Sequence, residues 1–148
     1  MIITVDVVSY LWSGQMTRFQ IMGETPSKKN VNKFNAKTKR VYKDAHYERW
    51  HNDAMLQIIG QMSRLSSEEI PFGKGHPDGI DYPVRINLTF IHGDNIRRDS
   101  DNQTSSIMDL LQDTKVISDD RWQIVREIHV KNEYEKNEAR CLIEIERV

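Results

Sequence analysis

Asp99 and Asp101 stand two residues apart in the stretch Arg97-Arg98-Asp99-Ser100-Asp101-Asn102, and a second acidic pair, Asp119-Asp120, follows further along. In an extended backbone, residues two apart project to one side, so Asp99 and Asp101 can aim their carboxylates at one point. Clustered carboxylates repel one another unless a cation holds them. Hard oxygen ligands of this kind suit magnesium, with manganese as the alternative. A metal so held activates water and stabilises charge building on a phosphoryl oxygen. Each residue also has a purely structural reading: Asp101 as a helix cap, Asp99 paired with Arg97 or Arg98, and Asp119-Asp120 as a polar turn. A calcium-binding EF-hand reading fails, because its fifth, sixth and twelfth positions would be Gln103, Thr104 and Leu110.

The elements around these aspartates follow from apolar periodicity. Val84, Ile86, Leu88 and Phe90 alternate with Arg85, Asn87 and Thr89, which predicts a half-buried strand before the first acidic pair. A helix is expected from Asp101 to Gln112, with Ile107, Met108 and Leu111 on its apolar face. Residues Ile124 to Lys131 and Ala139 to Glu146 alternate again and are expected to pair as a hairpin across Asn132 to Glu138. If the strand after Asp119-Asp120 lies beside the one before Asp99, an aspartate of that pair can join the cluster. Upstream, Tyr47, Trp50, Ala54, Ile58 and Met62 recur every three or four residues, the pattern of an amphipathic helix capped by Asp44. Ile2 to Val8 and Thr17 to Met22 read as strands, and residues from Ser63 to Pro83 as a loop rich in glycine and proline. Strands separated by two main helices make an α+β domain with a mixed sheet.

Net charge is −1, from 21 basic and 22 acidic residues, yet Ser27 to Lys43 holds seven cations and no acid. Lys28, Lys29, Lys33, Lys37, Lys39 and Arg40, with Asn30 among them, form a local site for a polyanion. Arg97 and Arg98 add charge beside the first acidic pair. The alternative is a solvated loop that confers solubility. Phe34 and Tyr42 interrupt the basic run and could stack on an unpaired base.

The composition bounds the rest. A chain of 148 residues, 38% hydrophobic and 29% charged, suits one globular domain over 1–148. No apolar run nears the ~20 residues of a membrane helix, so no membrane partner is expected. The first residues carry Asp6 and no basic leader, which argues against a signal peptide. One cysteine, Cys141, rules out an internal disulfide framework, places a multi-cysteine zinc site out of reach, and points to a cytoplasmic setting. It alternates with Ile143 and Ile145 and reads as core.

The stretch RRDSDNQTSSIMDLLQDTKVISDDRWQIVREIHV resembles the signature of the RusA family of Holliday-junction resolvases. The pattern is D-x-D-N opening a helix, D-x-L on that helix, then an aspartate pair before a strand. Here these are Asp99-Ser100-Asp101-Asn102, Asp109-Leu110-Leu111 and Asp119-Asp120. GETPSKKNVNKF resembles the family's entry after its first strand, so the likeness runs from about Thr17 to Glu146. It implies a magnesium-dependent homodimer that binds branched DNA, a four-way junction, and nicks it symmetrically in recombination and repair. By motif position Asp99, Asp101 and Asp120 would be the catalytic acids and metal ligands, with Asp119 beside them. Two departures stand out. Ser105 occupies a position where the family often has a lysine, with Lys115, Arg97 or Arg98 as substitutes, and residues 1–16 form an N-terminal extension. Ser105 leaves open a second function, a catalytically weakened protein that binds branched DNA without cutting it.

Overall fold

The computed structural model describes residues 16–28, 32–65 and 78–148. The strand expected over Ile2 to Val8, Lys29, Asn30 and most of the loop after Ser63 lie outside them. Eight elements follow in order. They are β1 (Met16–Met22), β2 (Asn32–Asn35), β3 (Arg40–Lys43), α1 (Ala45–Met62), β4 (Val84–His92), α2 (Ser100–Asp113), β5 (Val125–Tyr134) and β6 (Arg140–Arg147).

Four strands form one mixed sheet in the order β1-β6-β4-β5. β6 runs antiparallel to both neighbours, whereas β4 and β5 are parallel. A parallel pair needs a crossover, and α2 supplies it. One face of the sheet carries Phe19 and Ile21 of β1, Ile86, Leu88 and Phe90 of β4, and Cys141, Ile143 and Ile145 of β6. They join Ala54 and Ile58 of α1 and Ile107, Leu110 and Leu111 of α2 in one apolar core. The other face holds polar partners such as Arg85, which pairs with Glu127 and with Glu146. The architecture is therefore α+β, two helices on a mixed sheet, as the periodicity predicts.

α1 begins where expected. The Asp44 carboxylate accepts from the His46 and Tyr47 amides at 2.9 and 3.1 Å, satisfying two donors the first turn leaves free. Lys33 Nζ lies 2.7 Å from the same carboxylate. That pair, followed by the Tyr47 amide, holds the acid well below its ordinary value, at about 2.

The expected β5–β6 hairpin does not form. β6 inserts between β1 and β4, and β5 lies at the sheet edge. The physical reason is burial: Cys141, Ile143 and Ile145 are at most 2% exposed, while β5 is exposed over most of its length. Residues 135–139 carry the chain across the end of β4, where the Glu135 and Asn137 amides donate to the His92 and Gly93 carbonyls. A Cβ on Gly93 would lie 3.2 Å from the Ala139 nitrogen, so the crossing leaves little room for a side chain there.

The basic segment is also more ordered than a loop. β2 and β3 pair antiparallel, and Asn35 Oδ1 accepts from the Lys37 and Thr38 amides within the connecting turn. Phe34, Val41 and Tyr42 are half or more exposed, so the hairpin stands out from the core.

Candidate active site

Asp99 sits beyond the C-terminal end of β4 as the cap of α2. Its backbone is extended and its Oδ1 accepts from the Asp101 amide at 3.1 Å. The cap is thus Asp99, not Asp101. The sequence reading is two residues off because two capping residues flank Ser100, and backbone conformation chooses the one still extended. Asp101 occupies the first turn, where negative charge is favoured by the helix dipole. It is exposed, and among the described residues its carboxylate has no hydrogen bond or ion pair.

The helix then presents Asp101, Ser105 and Asp109 at successive four-residue steps, hence on one face. Ser105 Oγ donates back to the Asp101 carbonyl at 3.0 Å. Lys28 reaches this face from the segment after β1. Its amide donates to the Asn102 carbonyl, and its Nζ lies 2.6 Å from Asp109 Oδ2. Neither Lys115, Arg97 nor Arg98 occupies that place. Among the described residues, the cation that reaches the helix face carrying Ser105 is Lys28, which no helical spacing could have pointed to.

Asp119 and Asp120 precede β5. Asp119 Oδ1 accepts from the Asp120 amide, and its other oxygen is 3.9 Å from Arg121. The Asp120 side chain is exposed. β5 does lie beside β4, the condition on which an aspartate could join the pair, but it is parallel, so its start meets the start of β4: Val125 stands opposite Val84. Asn132, near the other end of β5, donates to Ser100 Oγ at 3.0 Å. The 14 residues of α2 separate the two acidic pairs by roughly 20 Å at 1.5 Å per residue. Among the described residues, no three His, Cys, Asp or Glu side chains gather closely enough to hold a metal.

The exposed Asp101 and Asp120 carboxylates and the second oxygen of Asp99 are nevertheless hard donors of the kind magnesium takes. That ion usually binds through one or two carboxylates together with substrate phosphates.

The chain is similar to a crossover junction endodeoxyribonuclease. That relative, RusA of Aquifex aeolicus (strain VF5), is 25% identical over 124 residues, which cover 84% of this chain and 86% of the relative. No family model matches the chain.

The other predicted contacts divide by environment. Lys37, Lys39 and Arg40 lie exposed on the β2–β3 hairpin, and Arg97 is exposed beside Asp99. Lys33 is tied to Asp44. Arg98 is turned inward, with Nη1 2.5 Å from Asp94 Oδ1 and Nε 3.1 Å from Glu24 Oε1. Its guanidinium holds Asp94 well below the usual carboxylate range, at about 2, helped by the Ile96 amide. His92 Nδ1 and Gln103 Nε2 meet the same Glu24 oxygen at 2.7 and 3.0 Å. Glu24 thereby locks the chain after β1 to the cap of α2. Sequence reasoning passed over it, since one acid in a turn carries no periodic signal. Gln103 was legible: it is four residues before Ile107 and seven before Leu110, on the buried face.

His51 Nε2 pairs with Asp113 at 2.8 Å, tying α1 to the end of α2. Among the described residues no helix is long and apolar enough to cross a membrane.

Proposed function

We propose that this chain is a RusA-type, magnesium-dependent endodeoxyribonuclease that resolves four-way DNA junctions in recombination and repair, acting as a symmetric homodimer. The observation that carries the reading is the D-x-D pair at the cap of α2, on a chain alignable over 84% of its length with a junction endonuclease. Asp99, Asp101 and Asp120, with Asp119 beside them, are the proposed acids and ligands. When bound, magnesium or manganese would supply an activated water and offset charge on the phosphoryl oxygen. The exposed Lys37, Lys39, Arg40 and Arg97, with Lys29 and Asn30, would hold the DNA backbone. A two-stranded ribbon such as the β2–β3 hairpin fits a DNA groove.

The separation of the acids supports the dimer. A single chain leaves Asp120 far from Asp99 and Asp101, but a second copy related by a two-fold axis can return it. β5 is an edge strand, and Ile128 and Val130, on the helix side of the sheet, remain 43% and 37% exposed. Such edges invite another strand. Antiparallel pairing of two β5 strands centred on His129 sets Ile128 of each copy opposite Val130 of the other. On the opposite face it sets Glu127 opposite Lys131, twice. The start of one β5 then meets the end of the other, beside Ser100 and Asp99. Two equivalent sites result, as symmetric nicking requires.

Intersubunit complementation tests this arrangement. Asp101→Asn and Asp120→Asn proteins, each inactive alone, should regain junction nicking when mixed and re-annealed, because one site per heterodimer is intact. With all acids in one chain, mixing would restore nothing. Excess chelator should stop cutting while a gel shift with junction DNA persists. Junction binding without cutting in any divalent ion would favour the binding-only reading.

A further inference from the structure

A cleft of about 870 Å³ opens beside Asp99, between the segment after β1, the first half of α1 and the first turn of α2. This size falls in the ~300–1,000 Å³ range of small-molecule sites. Its lining residues contribute polar atoms that are closed off from solvent yet unmatched. Glu24 Oε2, Thr25 Oγ1, Gln103 Oε1 and Trp50 Nε1 have no hydrogen-bond partner among the described residues. Gln103 is 1% exposed and Thr25 3%. The Gln103 amide has a defined orientation, because its nitrogen donates to Glu24 Oε1 and to the Thr25 carbonyl at 2.7 Å. Its oxygen is therefore the free end, and it can only accept. Native interiors pair nearly all such groups, so a cluster of them marks a place where something else completes the set.

We infer that the cleft receives an unpaired nucleobase carrying an exocyclic amino group, from a nucleotide next to the phosphate that is cut. The inference rests on the function proposed above. Two carboxyl or amide oxygens await donors, the Thr25 hydroxyl can serve either way, and the Trp50 indole N–H awaits an acceptor. Cytosine, adenine and guanine offer amino donors beside ring acceptors. Thymine offers one imino N–H between two carbonyls and leaves the acceptors underused. A metal ion would make no use of an indole N–H, and the Glu24 charge is already met by Arg98.

Tyr47 and Trp50 line the cleft with ring centroids 5.9 Å apart and planes at 47°, so a flat ring can lie on one and meet the edge of the other. Asp99 and Arg97 line the same cleft, and among the described residues Arg97 has no ion-pair partner. One nucleotide can therefore present its base to the cleft and its phosphate to the rim. Bases at a branch point cost least to unstack, which ties the cleft to branched rather than duplex DNA.

The experiment uses the full chain with chelator present, so that no strand is cut. Junctions carry a single abasic site at successive positions around the branch. One position should lose about tenfold or more in affinity, the worth of a stacked base. Thymine there should bind more weakly than cytosine or adenine. In Trp50→Phe and Gln103→Met, each checked for folding by thermal melt, the gap between intact and abasic junction should shrink by severalfold. In a nitrogen-labelled sample the Trp50 indole N–H resonance, assigned by its absence in Trp50→Phe, should shift with the intact junction and not with the abasic one. No sensitive position, or an equal gap in both variants, would overturn the inference and leave the wall atoms to bound water. Failure to bind junctions in preference to duplex would overturn the functional reading and this inference together.

Discussion

The Asn132 amide donates to the Ser100 hydroxyl at 3.0 Å, fastening the far half of β5 to the first turn of α2. That bond fixes which end of β5 lies beside the capping aspartate, and hence how far away Asp120 must be within one chain.

Substitutions at the cap should separate folding from chemistry. Asp99→Ala removes the acceptor for the Asp101 amide and should cost about 1 kcal/mol of stability, read as a lower melting temperature. Asp99→Asn keeps an acceptor and should melt near the parent, yet both should lose junction cleavage by orders of magnitude. Asp101→Asn loses only a favourable charge at the helix start, a few tenths of a kcal/mol at most. It should bind junctions as well as the parent and fail to cut them. Parental cleavage by either Asn variant would remove that residue from the proposed site.

The α1 stripe and its Asp44 cap, the alternation of β4 and the D-x-D position between strand and helix were all readable, because each is a local pattern. Strand order was not. Alternation says that a strand has a buried face and is silent about its neighbours, so β5 and β6 looked like a hairpin until burial of Cys141, Ile143 and Ile145 placed β6 in the middle. The distance from Asp120 to Asp101 depends on that order and on parallel pairing, which no spacing encodes. Lys28 on Asp109 and Glu24 among His92, Arg98 and Gln103 are long-range contacts of single residues, equally without a local trace.

Acid should loosen the foot of the basic hairpin. The carboxyl of Asp44 is depressed to about 2 by Lys33 and then by the Tyr47 amide. An acid whose folded value is lowered contributes stability that is complete above its unfolded value of about 4 and is lost as pH falls toward about 2. Melting temperatures measured from about pH 5 down to about pH 2 should therefore fall with a component that Asp44→Asn abolishes. An identical pH profile in the variant would show that the pair contributes nothing measurable.

The tip of the hairpin, rather than its foot, should govern salt dependence. Lys28 and Lys33 are already paired with Asp109 and Asp44, whereas Lys37, Lys39 and Arg40 face solvent. Replacing the last three with Ala should flatten the plot of log K against log salt by up to ~3 units. Replacing Lys28 alone should change the slope by less than one unit but leave Asp109 unpaired about two turns from Asp101. An unchanged slope in the triple variant would assign the hairpin to solubility alone.

A charge on the exposed edge should dissolve the proposed dimer. Val130→Glu places a carboxylate opposite Ile128 of the other copy and should give a monomer by sedimentation, folded, with nicking lost. A variant that stays dimeric would move the interface elsewhere on the surface.

The central place of β6 has a consequence for synthesis. β1 and β4 have no bond to each other, and both lean on a strand whose residues come more than a hundred positions after β1, as the pairing of Met16 with Glu146 illustrates. On the ribosome, the sheet therefore cannot close while residues 140–147 are still inside the exit tunnel. Such late, non-local pairing makes for slow folding. Until β6 slots in, β4 has β5 as its one sheet neighbour, and the platform under the α2 cap is half built. The proposed Asp99 site would thus be completed only after β6 has paired, late in the folding of the sheet.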